Sequence, residues 1–220
     1  MADPPSRPTD GRTASVVRGT PAWREPDRAH QVSLRRATDE DVGGVLALVR
    51  ACVDHLRANG IEQWDDRYPD RSTIEADVRG REAFVATHET GLLGYVALGA
   101  RQDPEYAAVP WAYAVGPIAV ISRLMVDPAV QGCGFAQAVM GFVEEQARAA
   151  GCRAVRLDAF DGNPRALRLY GRLGYRASGA IRRRTGTFRC FERQLAPADA
   201  REHGEDARDH GDDAPDAQPG

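Results

Sequence analysis

Lysine is missing from this chain: all 29 basic residues are arginine. That excludes a lysine nucleophile, a Schiff base and the phosphate-gripping lysine of a Walker loop. Cysteine is scarce and scattered. Cys52, Cys133, Cys152 and Cys190 show no paired spacing, which speaks against zinc ribbons and disulfide scaffolds, and no metal is expected. No apolar run approaches the ~20 residues of a membrane-spanning helix. Nor does a hydrophobic segment follow the N-terminal MADPPSRPTDGRT, as a secretory signal requires. The expected location is therefore the cytoplasm, with no membrane partner. Excess charge is missing too, since 32 acids against 29 arginines leave −3 and no electrostatic footprint for nucleic acid.

What remains is a 220-residue chain, 42% hydrophobic, sized for one domain with ragged ends. Residues 1–31 hold five prolines and scattered apolar positions, and are expected to be a disordered arm. From Ala196 to Gly220, eight acids face only Arg201 and Arg208, and no aliphatic side chain exceeds alanine. Such a stretch cannot bury enough surface to offset its ordering entropy, so an acidic disordered tail is expected. The folded domain is placed at 32–195.

Within it the pattern alternates. Val32–Arg36 reads as a short strand. Thr38 with Asp41 forms an N-cap signal ahead of apolar residues at 42, 45, 46, 49, 53 and 56, a helical stripe ending at Asn59-Gly60. Ser72–Arg79 reads as a second helix, and Ala83–His88 with Leu92–Gly99 as a hairpin. The nearly continuous apolar run Ile118–Val126 suits a buried strand, stopped by Asp127-Pro128. A helix over about 135–150, a strand over 154–159, a helix opened by Asn163-Pro164, and strands near 175–183 and 187–195 complete the chain. The fold class is mixed α/β with antiparallel hairpins at both ends, not a doubly wound parallel sheet.

The chemistry concentrates in Val126-Asp-Pro-Ala-Val-Gln-Gly-Cys-Gly-Phe-Ala136. A strand stops, Gly132 and Gly134 turn the chain, and a helix starts at once. Glycines let main-chain N–H groups approach a ligand, and the helix start adds free N–H groups and a positive dipole end. This is a phosphate cradle by construction, although a bare G-x-G also serves as a plain tight turn. The dinucleotide fingerprint fails because Gln137 stands where a small residue is required.

The order Gln131-x-x-Gly134-x-Ala136, followed by Asn163-Pro-Arg-Ala-Leu-Arg-Leu-Tyr170-Gly-Arg-Leu-Gly-Tyr175, resembles the GNAT superfamily of N-acetyltransferases over about 32–195. The resemblance implies a central mixed, mostly antiparallel splayed sheet flanked by helices. It implies acetyl-CoA as cosubstrate, its pantetheine arm lying between the strand ending at Val126 and the strand 154–159. Main chain of Met125 and Val126 would pair with the arm, the Val126 N–H serving as oxyanion donor. The main chain of Gln131, Gly132, Cys133, Gly134, Phe135 and Ala136 would hold the pyrophosphate. Asn163 and Arg165 would contact the cofactor, though Asn163-Pro164 is also sound helix-start chemistry. The family also pairs sheets through C-terminal strands, which implies a homodimer.

Tyr170 falls at helical spacing with Ala166, Leu169 and Leu173, which alone suggests a core aromatic. The L-Y-x-x-x-G match turns it into the general acid that protonates the departing thiolate. Candidates for the general base are Asp158, His55, Glu62 and Asp65, with an ion pair to the nearby Arg153 or Arg156 as the other reading of Asp158. The aromatic and acidic loop Gly60–Pro69 supplies Trp64, Glu62 and Asp65 as the acceptor site, where acids would favour a cationic amine. Arg182–Arg184 read as a solvated face. The expected activity is direct acetyl transfer from acetyl-CoA to a primary amine of a small molecule or peptide, because no nucleophile elbow supports a covalent intermediate. A non-catalytic acyl-CoA-binding sensor shares the same cradle.

Overall fold

The computed structural model describes residues 32–196 except Asp66 and Thr90. The arm 1–31, and the tail apart from Ala196, lie outside the described residues.

The chain forms β1 (Ser33–Arg36), α1 (Val42–Ala58), α2 (Arg71–Arg79), β2 (Ala83–His88), β3 (Gly91–Gly99), β4 (Ile118–Val126), α3 (Phe135–Ala149), β5 (Ala154–Phe160), α4 (Pro164–Arg172), β6 (Arg176–Arg183) and β7 (Gly186–Gln194). The helix starts are chemically marked. Asp70 accepts from the Thr73 N–H at 2.9 Å to cap α2. Asn163 accepts from the Ala166 N–H at 3.1 Å to cap α4, with Pro164 as its first residue. Asp41 takes the Thr38 N–H at 2.8 Å and a paired contact from Arg35, closing a short 3-10 turn that leads into α1.

The seven strands form one sheet in the order β1-β2-β3-β4-β5-β7-β6. Every pairing is antiparallel except β4 with β5. One face carries α3 and α4 over Phe84, Val96, Ile121, Leu157 and Phe191; the other carries α1 and α2 over Val85, Tyr95 and Met125. The buried stripe of α1 is Val42, Val45, Leu48, Val49, Cys52 and Val53, so Leu46 and Leu56 sit at its margin rather than its centre.

The site is created where the parallel pair fails. β4 and β5 pair only at Ile118–Ala154, Ala119–Val155 and Val120–Arg156. Beyond Val120 the two strands run on without pairing, six residues in β4 and four in β5. The cause lies in β4. Its register against β3 slips between Tyr95 and Ala97, and Arg123 opposite takes φ +55, the left-handed region a non-glycine residue rarely occupies. A bulge of this kind bends its strand and sharpens the local twist, which carries β4 away from β5.

Candidate active site

A cavity of about 1290 Å³ occupies the gap and extends across the α1–α2 face. Its lining begins at Gln131, Gly132 and Gly134, passes Val126, Asn163, Arg165, Ala166 and Tyr170, and ends beside Glu82 and Gly99.

The turn before α3 has the geometry that its sequence implies. Gly132 (φ +88) and Gly134 (φ +90) are both left-handed. Gly134 is the N-cap, and no side chain caps the helix. First-turn N–H groups therefore face the cavity mouth with the positive end of the dipole behind them. A Cβ on Gly132 would stand 3.4 Å from Nη2 of Arg165, so the guanidinium closes over the turn. Arg165 is fixed there by donating to Oε1 of Gln131 at 2.7 Å, while Nε2 of Gln131 donates to the Val126 carbonyl at 2.9 Å. These residues fit a diphosphate: a cationic side chain, a helix start, and two positions without Cβ. The side chains of Cys133 and Phe135 pack into the core away from the cavity, so only their main chain belongs to the loop.

The ladder decides which β4 amide faces the gap. The Asp127 N–H donates to Leu93 at 2.9 Å, and Val126 stands opposite Gly94. Alternation in an antiparallel pair then turns the Val126 N–H away from β3 and into the gap. The same alternation turns the main chain of Met125 toward Tyr95 rather than toward the gap.

Tyr170 projects from α4 into the cavity, with ring centroids 5.9 Å from Tyr175 and 5.8 Å from Phe191. No hydrogen bond joins its hydroxyl to another described residue. Burial first, and the negative charge of Asp158 second, raise the phenol above its ordinary value. Asn163, already capping α4, donates from Nδ2 to Oε1 of Gln63 at 3.0 Å, so its side chain also ties α4 to the α1–α2 loop.

Three expectations change. Asp158 lines the cavity, but its Oδ2 already accepts from Tyr106 (2.8 Å) and from Arg183 (2.8 Å), a different arginine from its sequence neighbours. Asp65 lines the cavity bound to Arg184 at 2.5 Å, and the Arg67 N–H, then Arg184, hold its carboxyl below the ordinary range. Glu62 is exposed and off the lining, because the loop turns it outward between the half-buried Ile61 and Gln63. Trp64 is half-buried, packing on the α1–α2 core and lining the cavity. His55 lines the cavity one turn beyond Cys52, whose thiol lies 3.5 Å from the Val126 carbonyl and is pushed up to about 12 by burial.

Sequence reading missed the charged frame. Of the expected solvated face, Arg182 and Arg184 are exposed, but Arg183 is half-buried and pairs with Asp103 and Asp158, and Arg184 pairs with Asp65. Asp77, buried on α2, takes Nη2 of Arg123 at 2.6 Å, Nε at 2.8 Å and the hydroxyl of Tyr95 at 2.6 Å. The polar pair Ser122-Arg123 inside an otherwise apolar strand was the available signal.

The sequence profile of the acetyltransferase (GNAT) family matches residues 49–175. The chain belongs to the GNAT acetyltransferase family. An acetyltransferase of that family from Streptococcus agalactiae superposes with a TM-score of 0.68 at 20% identity, over 75% of this chain and 96% of that one. The yncA protein of Salmonella typhimurium, solved with its cofactor acetyl-CoA, gives 0.57 at 19% identity, over 76% and 95%. The PaiA N-acetyltransferase of Thermoplasma acidophilum, solved with coenzyme A, gives 0.59 at 13%, over 74% and 99%. No curated protein sequence matches this GNAT chain. Among its described residues no helix is long and apolar enough to cross a membrane, and no His/Cys/Asp/Glu group could hold a metal ion.

Proposed function

We propose that the protein transfers the acetyl group of acetyl-CoA directly to a primary amine within a ternary complex. One observation carries the reading: the ends of β4 and β5 that do not pair with each other, the glycine turn and the Tyr170 hydroxyl, unbonded among the described residues, share one cavity. Family membership supports acyl transfer, and structural neighbours bind acetyl-CoA or CoA in the same fold.

In this reading the turn Gln131–Ala136 and Arg165 hold the diphosphate, and the pantetheine arm extends along β4. The Val126 N–H donates to the thioester oxygen as negative charge develops on it. The amine nitrogen bonds to the acetyl carbon, the carbon–sulfur bond breaks, and Tyr170 gives its proton to the departing sulfur. The proton lost by the amine goes to His55, directly or through a water. Asp158 and Asp65 are occupied by arginines and Glu62 is off the cavity, whereas the side chain of His55 is bonded to no other described residue.

The test is release of free thiol from acetyl-CoA across a panel of primary amines. Tyr170→Phe is expected to lower turnover roughly 10²-fold or more, while CoA affinity by calorimetry stays within about twofold. Saturable binding with no thiol released from any amine would instead identify a sensor.

A further inference from the structure

Among the described residues five carboxylates line the cavity, and four are paired with arginine: Asp65 with Arg184, Asp77 with Arg123, and Asp103 and Asp158 sharing Arg183. Glu82 is the exception. It makes no ion pair or side-chain hydrogen bond with another described residue, yet its position is fixed. Its N–H donates to the Asp77 carbonyl at 2.9 Å, and its carbonyl accepts from Leu98 at 2.8 Å. Its carboxylate lies flat on Gly99, where a Cβ would stand 2.6 Å from Oε1 and 2.7 Å from Oε2. The bare glycine thus provides the shelf against which the carboxylate rests. Arg101 also lines this end, exposed, and forms no ion pair with it.

The place of this charge along the sheet matters. Gly99 pairs with Val120, the last residue of β4 still bonded to β5. The bulge at Arg123, where the gap has opened, is three residues further on, about 10 Å at the rise of a strand. Glu82 therefore stands at the far end of the cavity from the glycine turn, beyond reach of an amine attacking in the gap. A carboxylate placed there, stripped of protein partners and partly withdrawn from water, gains most from a cation brought by a ligand.

We propose that Glu82 receives a positive group of the acceptor remote from the amine being acetylated, so that the protein selects acceptors bearing two cationic groups. This rests on the N-acetyltransferase reading for its meaning, but the charge site can be tested apart from it. The probes are diaminoheptane and aminoheptanol, titrated calorimetrically into the CoA-saturated full chain, with thiol release from acetyl-CoA measured in parallel. The diamine is expected to bind about tenfold more tightly than the amino alcohol, the scale of one charge-assisted contact. In Glu82→Gln that preference is expected to vanish, with retained CoA affinity in a separate calorimetric titration of CoA into the variant showing an intact fold. Equal binding of the two probes to the unaltered protein, or a preference that survives Glu82→Gln, overturns the proposal even if both amines are acetylated. A preference lost in Glu82→Gln without thiol release upholds the charge site and removes the transferase reading alone.

Discussion

Tyr170 combines a clamped ring with an uncommitted hydroxyl, and that pairing fixes how the site responds to pH. Burial and the charge of Asp158 raise its phenol, so the proton is retained throughout the range in which the amine acceptor deprotonates. Turnover is expected to climb between about pH 7 and about pH 10 with no falling limb from this residue, since the ordinary phenol value of about 10 is already exceeded. A rate–pH profile that descends within this range, and loses the descent in Tyr170→Phe, would show the phenol ionising early and remove it as the acid. The two loop glycines make a second claim at this scale. At Gly132 a side chain must adopt φ +88 and meet Arg165. The left-handed penalty of about 1–2 kcal/mol falls on the turn itself. Gly132→Ala is expected to weaken CoA about tenfold by calorimetry and to lower the thermal midpoint by about 2–8 °C. Positions such as these were legible because local chemistry specifies them: glycine for the turn, Asn163-Pro164 for a helix start. Asp65 was legible as an acid but not as an occupied one, and the arginine partner of Asp158 is Arg183 rather than a sequence neighbour, since Arg184 and Arg183 arrive from a distant hairpin.

Among the elements, β4 shows most clearly where sequence reading stops. Its bounds, Ile118 to Val126, follow from the apolar run and the Asp127-Pro128 stop. Its bulge does not, because the left-handed Arg123 is held by Asp77, which lies in a helix 46 residues earlier. A strained backbone position costs on the order of 1–3 kcal/mol and persists only when its surroundings enforce it. Here the enforcement is a buried ion pair, with side chains 13% and 7% exposed, reinforced by the hydroxyls of Tyr95 and Tyr68. Asp77→Asn keeps the shape and leaves the guanidinium buried without its counter-charge, an imbalance worth about 3–5 kcal/mol in urea unfolding. Adding Arg123→Met to Asp77→Asn is expected to recover most of that loss while CoA affinity stays low, because the apolar pair repacks without rebuilding the bulge. Full recovery of CoA binding in the double variant would show that the gap opens without the clamp.

At the level of the whole molecule, the sheet has a weak seam. β2 and β3 share six residue pairs and β5 and β7 seven, but β4 and β5 share three. No periodicity could announce this. The hydrophobic pattern of β5 is complete along its length, and β7 inserts between β5 and β6 through pairings that only the assembled sheet defines. The C-terminal strands are anchored elsewhere, through the buried Glu144 of α3, which binds the Tyr175 hydroxyl at 2.9 Å and Arg193 at 2.8 Å. A ligand whose arm lies in the gap therefore joins two halves that the sheet itself joins poorly. Mass action gives about 2.7 kcal/mol at a free concentration one hundred times Kd. For a domain of this size that raises the thermal midpoint by roughly 5–10 °C. The rise should come with slowed amide exchange in 123–126 and 157–160 together, since both strands border the gap. A rise with protection confined to the glycine turn would mean that the diphosphate docks while the arm lies outside the sheet.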